Sequence, residues 1–217
     1  MKKKYIIFDC DGTIVNTYPL IMETFRRTFK EKLPDYKYTE SELNSFFGPS
    51  LNKTFSKYFK EDEVEDVINY YRKINKSLMK DWIYVFEGIK ELLDYLKNNN
   101  YPISILSNKG YEMLMYGFDL VGLTDYFDII VGYEQMPEHK PDPSGVDVIK
   151  NFYNIDDSFN DEIYLIGDTV IDIKTAIAAN INSVGVTWCI TNKEVYESAN
   201  AKYIINKPSE LIKILEE

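Results

Sequence analysis

The sequence has little cysteine, histidine or positive charge. Its 217 residues include two cysteines and one histidine, and 35 acidic residues against 25 basic ones leave a formal net charge of −10. Cys10 and Cys189 are far apart and form no CxxC pair, which argues against a zinc site or a disulfide framework and predicts a reducing, cytoplasmic setting. The negative charge argues against nucleic acid or an anionic membrane as a partner.

The sequence also has no long apolar run. Only four apolar residues, Tyr5–Phe8, follow the basic start MKKK, which is too few for a signal peptide or a membrane span, and no later segment approaches a span. With 45% hydrophobic residues, the chain can nevertheless bury a full core in one domain with a modest insertion. We therefore expect a protein that folds alone, with a monomer as the default.

Short apolar runs alternate with helical patterns along most of the chain. In the segment Gly88–Lys97, apolar residues recur at the i, i+3, i+4, i+7 spacing of one helix face. The alternation predicts an α/β fold, with a Rossmann-like parallel sheet covered by helices on both faces. The predicted strands are Tyr5–Phe8, Ile103–Leu106, Ile129–Val131, Ile163–Ile166, Val184–Thr187 and Tyr203–Ile205.

One region interrupts this alternation. Between Tyr18 and Trp82 the pattern predicts helices only, with aromatic residues as their core. We expect an α/β core from residues 1–16 and 84–217 and an inserted all-helical cap from residues 17–83. The cap would lie over the carboxyl edge of the sheet as a lid. Arg26, Arg27 and the turn Phe46–Ser50 are candidates to face a ligand, although a solvated helix face explains the arginines equally well.

The stretch "DCDGT" places two carboxylates at the end of the first predicted strand. Along an extended chain Asp9 and Asp11 point to one side and Cys10 to the other, so Cys10 is predicted to be a small buried residue. A phosphatase with a cysteine nucleophile would need an arginine about six residues after the cysteine, whereas Asn16 occupies that position. Two interpretations remain: a polar turn relieved by Gly12, or a pair of carboxylates that act on a substrate.

Three further polar clusters follow in order along the chain: "ILSNKG", "HKPDP" and "LIGDTVID". Together with "DCDGT", they resemble the four motifs of the haloacid dehalogenase superfamily of phosphohydrolases. The resemblance runs nearly end to end and is greatest to the branch with a helical cap after the first motif, as in phosphoglycolate phosphatase-like proteins. Asn16, Asn180 and Cys189 depart from the commonest pattern of that branch, so the subfamily stays open.

The resemblance implies a role for each motif. Asp9 is the nucleophile that becomes an aspartyl-phosphate, and Asp11 is the general acid and base, with its backbone carbonyl as a metal ligand. Ser107 donates a hydrogen bond to the phosphoryl group, and Lys140 stabilises charge in the transition state. Gly12, Thr13 and Asn108 add contacts to the substrate phosphate.

A metal ion is implied because a carboxylate nucleophile would repel an anionic phosphate. Asp9, Asp11, Asp168 and Asp172 are the expected ligands of Mg²⁺, with Asp172 one helical turn after Asp168. The alternative for Asp168 and Asp172 is an N-terminal helix cap with an exposed neighbour. Lys109 and His139 receive no such support and are predicted to be surface residues.

The expected function is Mg²⁺-dependent hydrolysis of small phosphomonoesters, on a small phosphorylated metabolite. A sugar-phosphate mutase similar to β-phosphoglucomutase would share every catalytic group, and a pyrophosphatase or nucleotidase of the same superfamily is also open. Dehalogenation fits less well because displacing halide needs no acid such as Asp11. A catalytically silent binding module is the remaining alternative, although every catalytic group is present.

Overall fold

The computed structural model describes residues 3–216, so the first two residues of the basic start and Glu217 lie outside it. The chain forms two compact units. The core unit is formed by the chain up to Asn16 and from Val85 onward, and the helical unit by Thr17–Tyr84. The function of the helical unit as a cap stays a prediction. Among the described residues, no helix is both long and apolar enough to cross a membrane.

Six strands of the core unit form one parallel sheet, as predicted. Within residues 3–216 the strands are β1 Tyr5–Phe8, β2 Val15–Asn16, β3 Tyr84–Val85, β4 Ile103–Leu106, β5 Ile129–Val131, β6 Ile163–Gly167, β7 Asn182–Val186 and β8 Tyr203–Ile205. The sheet order is β5-β4-β1-β6-β7-β8, and every neighbouring pair is parallel. The central strand β1 pairs with β4 on one side and β6 on the other.

Helices cover both faces of this sheet. The helices of the described chain are α1 Tyr18–Lys32, α2 Glu40–Asn44, α3 Leu51–Phe55, α4 Glu61–Trp82, α5 Ile89–Asn98, α6 Tyr111–Val121, α7 Ser144–Tyr153, α8 Val170–Ala178, α9 Lys193–Ser198 and α10 Glu210–Glu216. Ile7 lies in a buried cluster with residues of α7 and α8. Ile6 and Phe8, which alternate with it, are also buried and face the other side. The four apolar positions predicted for α5 are all buried.

The helical unit has an aromatic core of its own. Phe25 lies at its centre, with ring centroids 4.8 Å from Tyr71, 5.0 Å from Phe46 and 5.6 Å from Phe55. Aromatic side chains bury large areas and pack in tilted and edge-to-face pairs, so they stabilise a small helical unit efficiently. The phenylalanines at positions 25, 29, 46, 47 and 55 are buried core residues, as their spacing predicted, whereas Tyr58 and Phe59 are half-buried.

The arginines proposed to face a ligand lie on the surface of the helical unit. Arg26 pairs with Glu40 at 3.0 Å and Arg27 with Glu23 at 2.8 Å, and both ion pairs are solvent-exposed. The two phenylalanines at the start of the turn Phe46–Ser50 are buried. These contacts favour the solvated helix face for both arginines.

Candidate active site

Three neighbouring strands bring the polar motifs to one edge of the sheet. Asp9 follows β1, Ser107 follows β4 and Asp168 follows β6, and all three side chains are buried. Phe8, the last residue of β1, is in register with Ile105 on β4 and Ile166 on β6. In open parallel sheets, ligands bind beyond the carboxyl ends of the strands, so this edge is the candidate active site.

Three buried carboxylates meet at this edge. One ligand atom from each of Asp9, Asp168 and Asp172 lies within 4.8 Å of the others. Burial, together with the charges of Asp172 and Asp11, raises the pKa of Asp9 to about 6 against the lowering effect of Lys140. Burial also raises the pKa of Asp168 well above its usual range, and the neighbouring carboxylates add to this. Ionising this crowded cluster is costly without a compensating cation.

The donor set suits a hard divalent cation. Asp168 Oδ2 is buried and has no hydrogen-bond partner among the described residues, and its Oδ1 has Thr13 Oγ1 at 3.5 Å. An unpartnered buried carboxylate oxygen is costly unless a ligand or ion satisfies it. Carboxylate oxygens are the ligands that Mg²⁺ prefers. These residues therefore fit the ion that the motifs imply.

Lys140 lies inside the carboxylate cluster, and its side chain is 3% exposed. Its Nζ donates to Asp172 Oδ1 at 2.6 Å and lies 3.0 Å from Asp9 Oδ1. Burial alone would lower the pKa of Lys140, but the charges of Asp172 and Asp9 raise it above its usual value. The side chain is therefore a fixed positive charge beside Asp9.

Asn108 holds the backbone of Lys140 in place. Its Oδ1 accepts from the Lys140 N–H at 3.0 Å, and its Nδ2 donates to the Lys140 carbonyl at 3.1 Å. The sequence predicted a contact from Asn108 to the substrate phosphate. That contact stays a prediction, and in the structure the Asn108 amide joins the turn after β4 to the segment that carries Lys140.

The segment does form an N-terminal helix cap, as the alternative interpretation held, but Asp168 is not the capping residue. The N-cap of α8 is Thr169, and Asp168 precedes it. Asp172 Oδ2 accepts from both the N–H of Thr169, at 3.0 Å, and its Oγ1, at 2.7 Å, while Oδ1 faces Lys140. Asp172 thus closes the cap of α8 and orients Lys140 with the same carboxylate.

The absence of a side chain at Gly12 leaves room for the carboxylate of Asp168. Gly12 has a φ of +80°, and a Cβ there would overlap the carboxylate of Asp168. Thr13 is buried, and Trp188 Nε1 donates to its carbonyl at 3.1 Å. The turn after β1 is therefore shaped around the carboxylate that follows β6.

The prediction that Lys109 is a surface residue is wrong. Its Nζ donates to Asp11 Oδ1 at 2.7 Å, and the two side chains are only 14% and 18% exposed. Burial alone would lower the pKa of Lys109, but the charge of Asp11 raises it. Lys109 stands two residues after Ser107, but the chain bends at Asn108 and Lys109, so the spacing of the two residues gave no signal of the contact with Asp11.

Two further predictions concern the exposure of His139 and of Cys10. His139, also expected on the surface, is half-buried and stacks on the ring of Tyr133, with centroids 3.6 Å apart. Cys10 is buried, as predicted, and burial together with the charge of Asp11 raises the pKa of its thiol. A protonated thiol is a poor nucleophile, so this environment argues against Cys10 as one.

The comparisons with known proteins agree with this geometry. Residues 6–186 match the family model described as haloacid dehalogenase-like hydrolase. The chain is 32% identical over 210 residues to "Pyrophosphatase PpaX" of Listeria welshimeri, covering 97% of this chain and 95% of the relative. It also resembles the solved structure of a predicted phosphatase from Clostridium acetobutylicum, with a TM-score of 0.87, 29% identity and full coverage of both chains.

A second solved structure supports the same assignment. The haloacid dehalogenase-like family hydrolase of Streptococcus pneumoniae gives a TM-score of 0.84 at 25% identity, over 98% of each chain. The order of the motifs, the sheet that gathers them and these relatives lead to one conclusion. This chain belongs to the haloacid dehalogenase-like hydrolases.

Proposed function

We propose that the chain is a Mg²⁺-dependent phosphohydrolase with Asp9 as its nucleophile. The observation that supports this most directly is the position of the Asp9 carboxylate, buried beside both the ammonium group of Lys140 and the carboxylates of Asp168 and Asp172. A carboxylate oxygen of Asp9 attacks phosphorus and the bond from phosphorus to the leaving oxygen breaks, which gives an aspartyl-phosphate. Water then releases phosphate and regenerates Asp9.

Asp11 is the proton donor and acceptor in this proposal. It gives its proton to the leaving oxygen in the first step and takes one from the attacking water in the second. Ser107 is the expected hydrogen-bond donor to the phosphoryl oxygens, with Lys140 as the cation that offsets their growing charge. Backbone groups of Gly12 and Thr13 complete the expected phosphate contacts.

The expected holders of Mg²⁺ are Asp9, Asp168 and the backbone carbonyl of Asp11. When bound, the ion neutralises charge so that an anionic phosphate can approach a carboxylate nucleophile. Asp172 takes part less directly, because Lys140 and Thr169 already use both of its oxygens.

Inorganic pyrophosphate is the first substrate candidate. The support is the name of relatives such as "Pyrophosphatase PpaX" from Listeria welshimeri, which match nearly the whole chain. A small phosphomonoester, such as phosphoglycolate, is the second candidate, since Asp11 would serve an alkoxide leaving group. Phosphoryl transfer back to a sugar phosphate is the mutase alternative.

The test is a Mg²⁺-dependent phosphate-release assay on pyrophosphate, phosphoglycolate, a nucleoside monophosphate and glucose 1-phosphate. We expect release to require Mg²⁺ and to fall by roughly 10³-fold or more in Asp9→Asn, with a melting temperature no lower than that of wild type. Asp94→Asn, at an exposed ion pair on α5, is the matched control and should keep full activity. Undiminished release in Asp9→Asn would refute the mechanism, and isomerised sugar phosphate without free phosphate would indicate a mutase.

A further inference from the structure

We propose that Lys109 is a specificity-determining residue that favours substrates whose leaving group is itself an anion, such as a phosphate. This inference rests on the proposed function, because it takes Asp11 as the proton donor. It extends that function by assigning the second lysine of the site to the leaving group. Lys140 would serve the phosphoryl group that is transferred.

The distance between Asp11 and Lys109 supports this assignment. When Asp11 gives its proton to the leaving oxygen, that oxygen must lie within hydrogen-bond reach of the Asp11 carboxylate. Lys109 Nζ is 2.7 Å from Asp11 Oδ1. Any group that accepts the proton of Asp11 therefore leaves next to a positive charge.

The two lysines differ in their surroundings. Lys140 is 3% exposed and lies between Asp9 and Asp172, so its charge is already neutralised inside the cluster. Lys109 pairs with Asp11 and is 14% exposed, on a flexible stem that can turn towards an incoming anion. Only Lys109 combines partial exposure with a position beside the proton donor.

The charge of Lys109 should distinguish substrates with a neutral leaving group from substrates with an anionic one. A neutral alcohol leaving group cannot offset the loss of hydration around the Lys109 ammonium group. A phosphate or carboxylate on the leaving group can form a charge-assisted hydrogen bond with it in this largely covered site. Local positive charge also matters because the chain as a whole carries −10, which disfavours anionic substrates.

The test compares kcat/KM for pyrophosphate, which has an anionic leaving group, with kcat/KM for p-nitrophenyl phosphate, whose leaving group lacks a second anionic site. In Lys109→Met we expect the ratio of the two values to fall roughly 10- to 100-fold. Lys109→Arg should restore part of the ratio, since it keeps the charge. Lys90→Met removes an exposed lysine paired with Asp94 and should leave the ratio unchanged. An unchanged ratio in Lys109→Met would overturn the proposal.

A binding measurement separates this inference from the proposed function. Methylenediphosphonate, a pyrophosphate analogue that resists hydrolysis, and methylphosphonate are titrated calorimetrically with Mg²⁺ present, into wild type and Lys109→Met. We expect the variant to lose at least tenfold more affinity for the diphosphonate than for the monophosphonate. Equal losses would refute the role of Lys109 even in a protein without turnover.

Absent phosphate release with a selective binding loss would refute the hydrolase mechanism alone. Circular dichroism checks folding, with Lys109→Gln as the substitute if the methionine variant is unfolded.

Discussion

At the scale of single residues, the site depends on the space that the backbone leaves as well as on charge. Gly12 occupies the left-handed region at φ +80° and lies directly against the Asp168 carboxylate. A side chain there meets two separate penalties, one from the backbone conformation and one from overlap. At a second glycine, Gly122 with a φ of +69°, a side chain would meet only the backbone penalty, because no atom lies within 4 Å of the position of a Cβ.

These two glycines make a matched pair for a substitution by alanine. Both Gly12→Ala and Gly122→Ala should cost about 1–2 kcal/mol of stability from the left-handed backbone. Only Gly12→Ala should also displace the carboxylate of Asp168 and lower Mg²⁺ affinity at least tenfold. Thermal unfolding and calorimetric Mg²⁺ titration of both variants are the measurements. Equal Mg²⁺ affinities would contradict the role given to Gly12.

Lys140 is expected to be needed for stability as well as for catalysis. Lys140→Met leaves buried carboxylates without their cation, a change that costs roughly 3–5 kcal/mol when one partner of a buried ion pair is lost. Mg²⁺ should recover more stability in the variant than in wild type, because it supplies the missing charge. Denaturant unfolding with and without Mg²⁺ measures both effects.

The control for this prediction is another buried lysine. Lys150 on α7 pairs with Asp157 and Asn160, outside the carboxylate cluster. Lys150→Met should destabilise the protein without increasing its response to Mg²⁺. A similar Mg²⁺ response in the two variants would indicate that the ion acts on the fold in general.

At the scale of elements, the sequence predicted best where burial alone decides the structure. The apolar run of β1 and the one-sided face of α5 were found where expected, because buried strands and amphipathic helices leave strong patterns. The predicted strand Val184–Thr187 instead begins at Asn182. The reason is polar: Asn182 Nδ2 donates to the carbonyls of Asp161 and Ile163, and hydropathy does not detect such bonds.

The candidate site was predicted in the same uneven way. Asp9 and Asp168 directly follow predicted strands, so their meeting at one sheet edge followed from parallel topology, whereas Lys140 was identified by its family motif alone. Lys109 was misjudged, and the bonds of Asn108 to the backbone of Lys140 were not predicted, because the partners Asp11 and Lys140 are 98 and 32 residues away along the chain. Such pairings depend on the path of a turn, which residue spacing does not determine.

Helix α9 and the segment before it contact the backbone of Asp168, an expected Mg²⁺ ligand. The Tyr196 hydroxyl lies 2.6 Å from the Asp168 carbonyl and 2.7 Å from that of Val186, and Thr191 Oγ1 also donates to Asp168. Tyr196 is fully buried. One residue of this short helix therefore holds the ends of both β6 and β7.

Removing this hydroxyl should affect the metal site as well as the fold. Tyr196→Phe should cost about 1–2 kcal/mol of stability and lower Mg²⁺ affinity several-fold, because the backbone of Asp168 loses a donor. Tyr153→Phe is the matched control, since its hydroxyl bonds to Ser104 and Asp128. The control should lose stability with Mg²⁺ affinity intact, and an equal loss of affinity in both variants would contradict the positioning role.

At the scale of the whole molecule, each compact unit has its own buried core. In the helical unit Phe55 is fully buried, with its ring 5.6 Å from that of Phe25 and 5.8 Å from that of Tyr71. In the core unit Phe118 is fully buried, with its ring 4.7 Å from that of Phe127. Separate cores allow separate cooperative unfolding, which proteins of more than one domain commonly show.

We therefore predict that a substitution in one core destabilises only the unit that contains it. Phe55→Leu should lower the protection of amides in α1 and α4 against hydrogen exchange by roughly 1–2 kcal/mol, with the protection of β1 and β6 unchanged. Phe118→Leu should instead lower the protection of amides in β1 and β6 and leave that of α1 and α4 unchanged. Native-state hydrogen exchange read by mass spectrometry distinguishes the two. A uniform loss of protection in either variant would mean that the chain unfolds as one cooperative unit. Mg²⁺ affinity should survive Phe55→Leu, because every expected ligand of the ion belongs to the core unit.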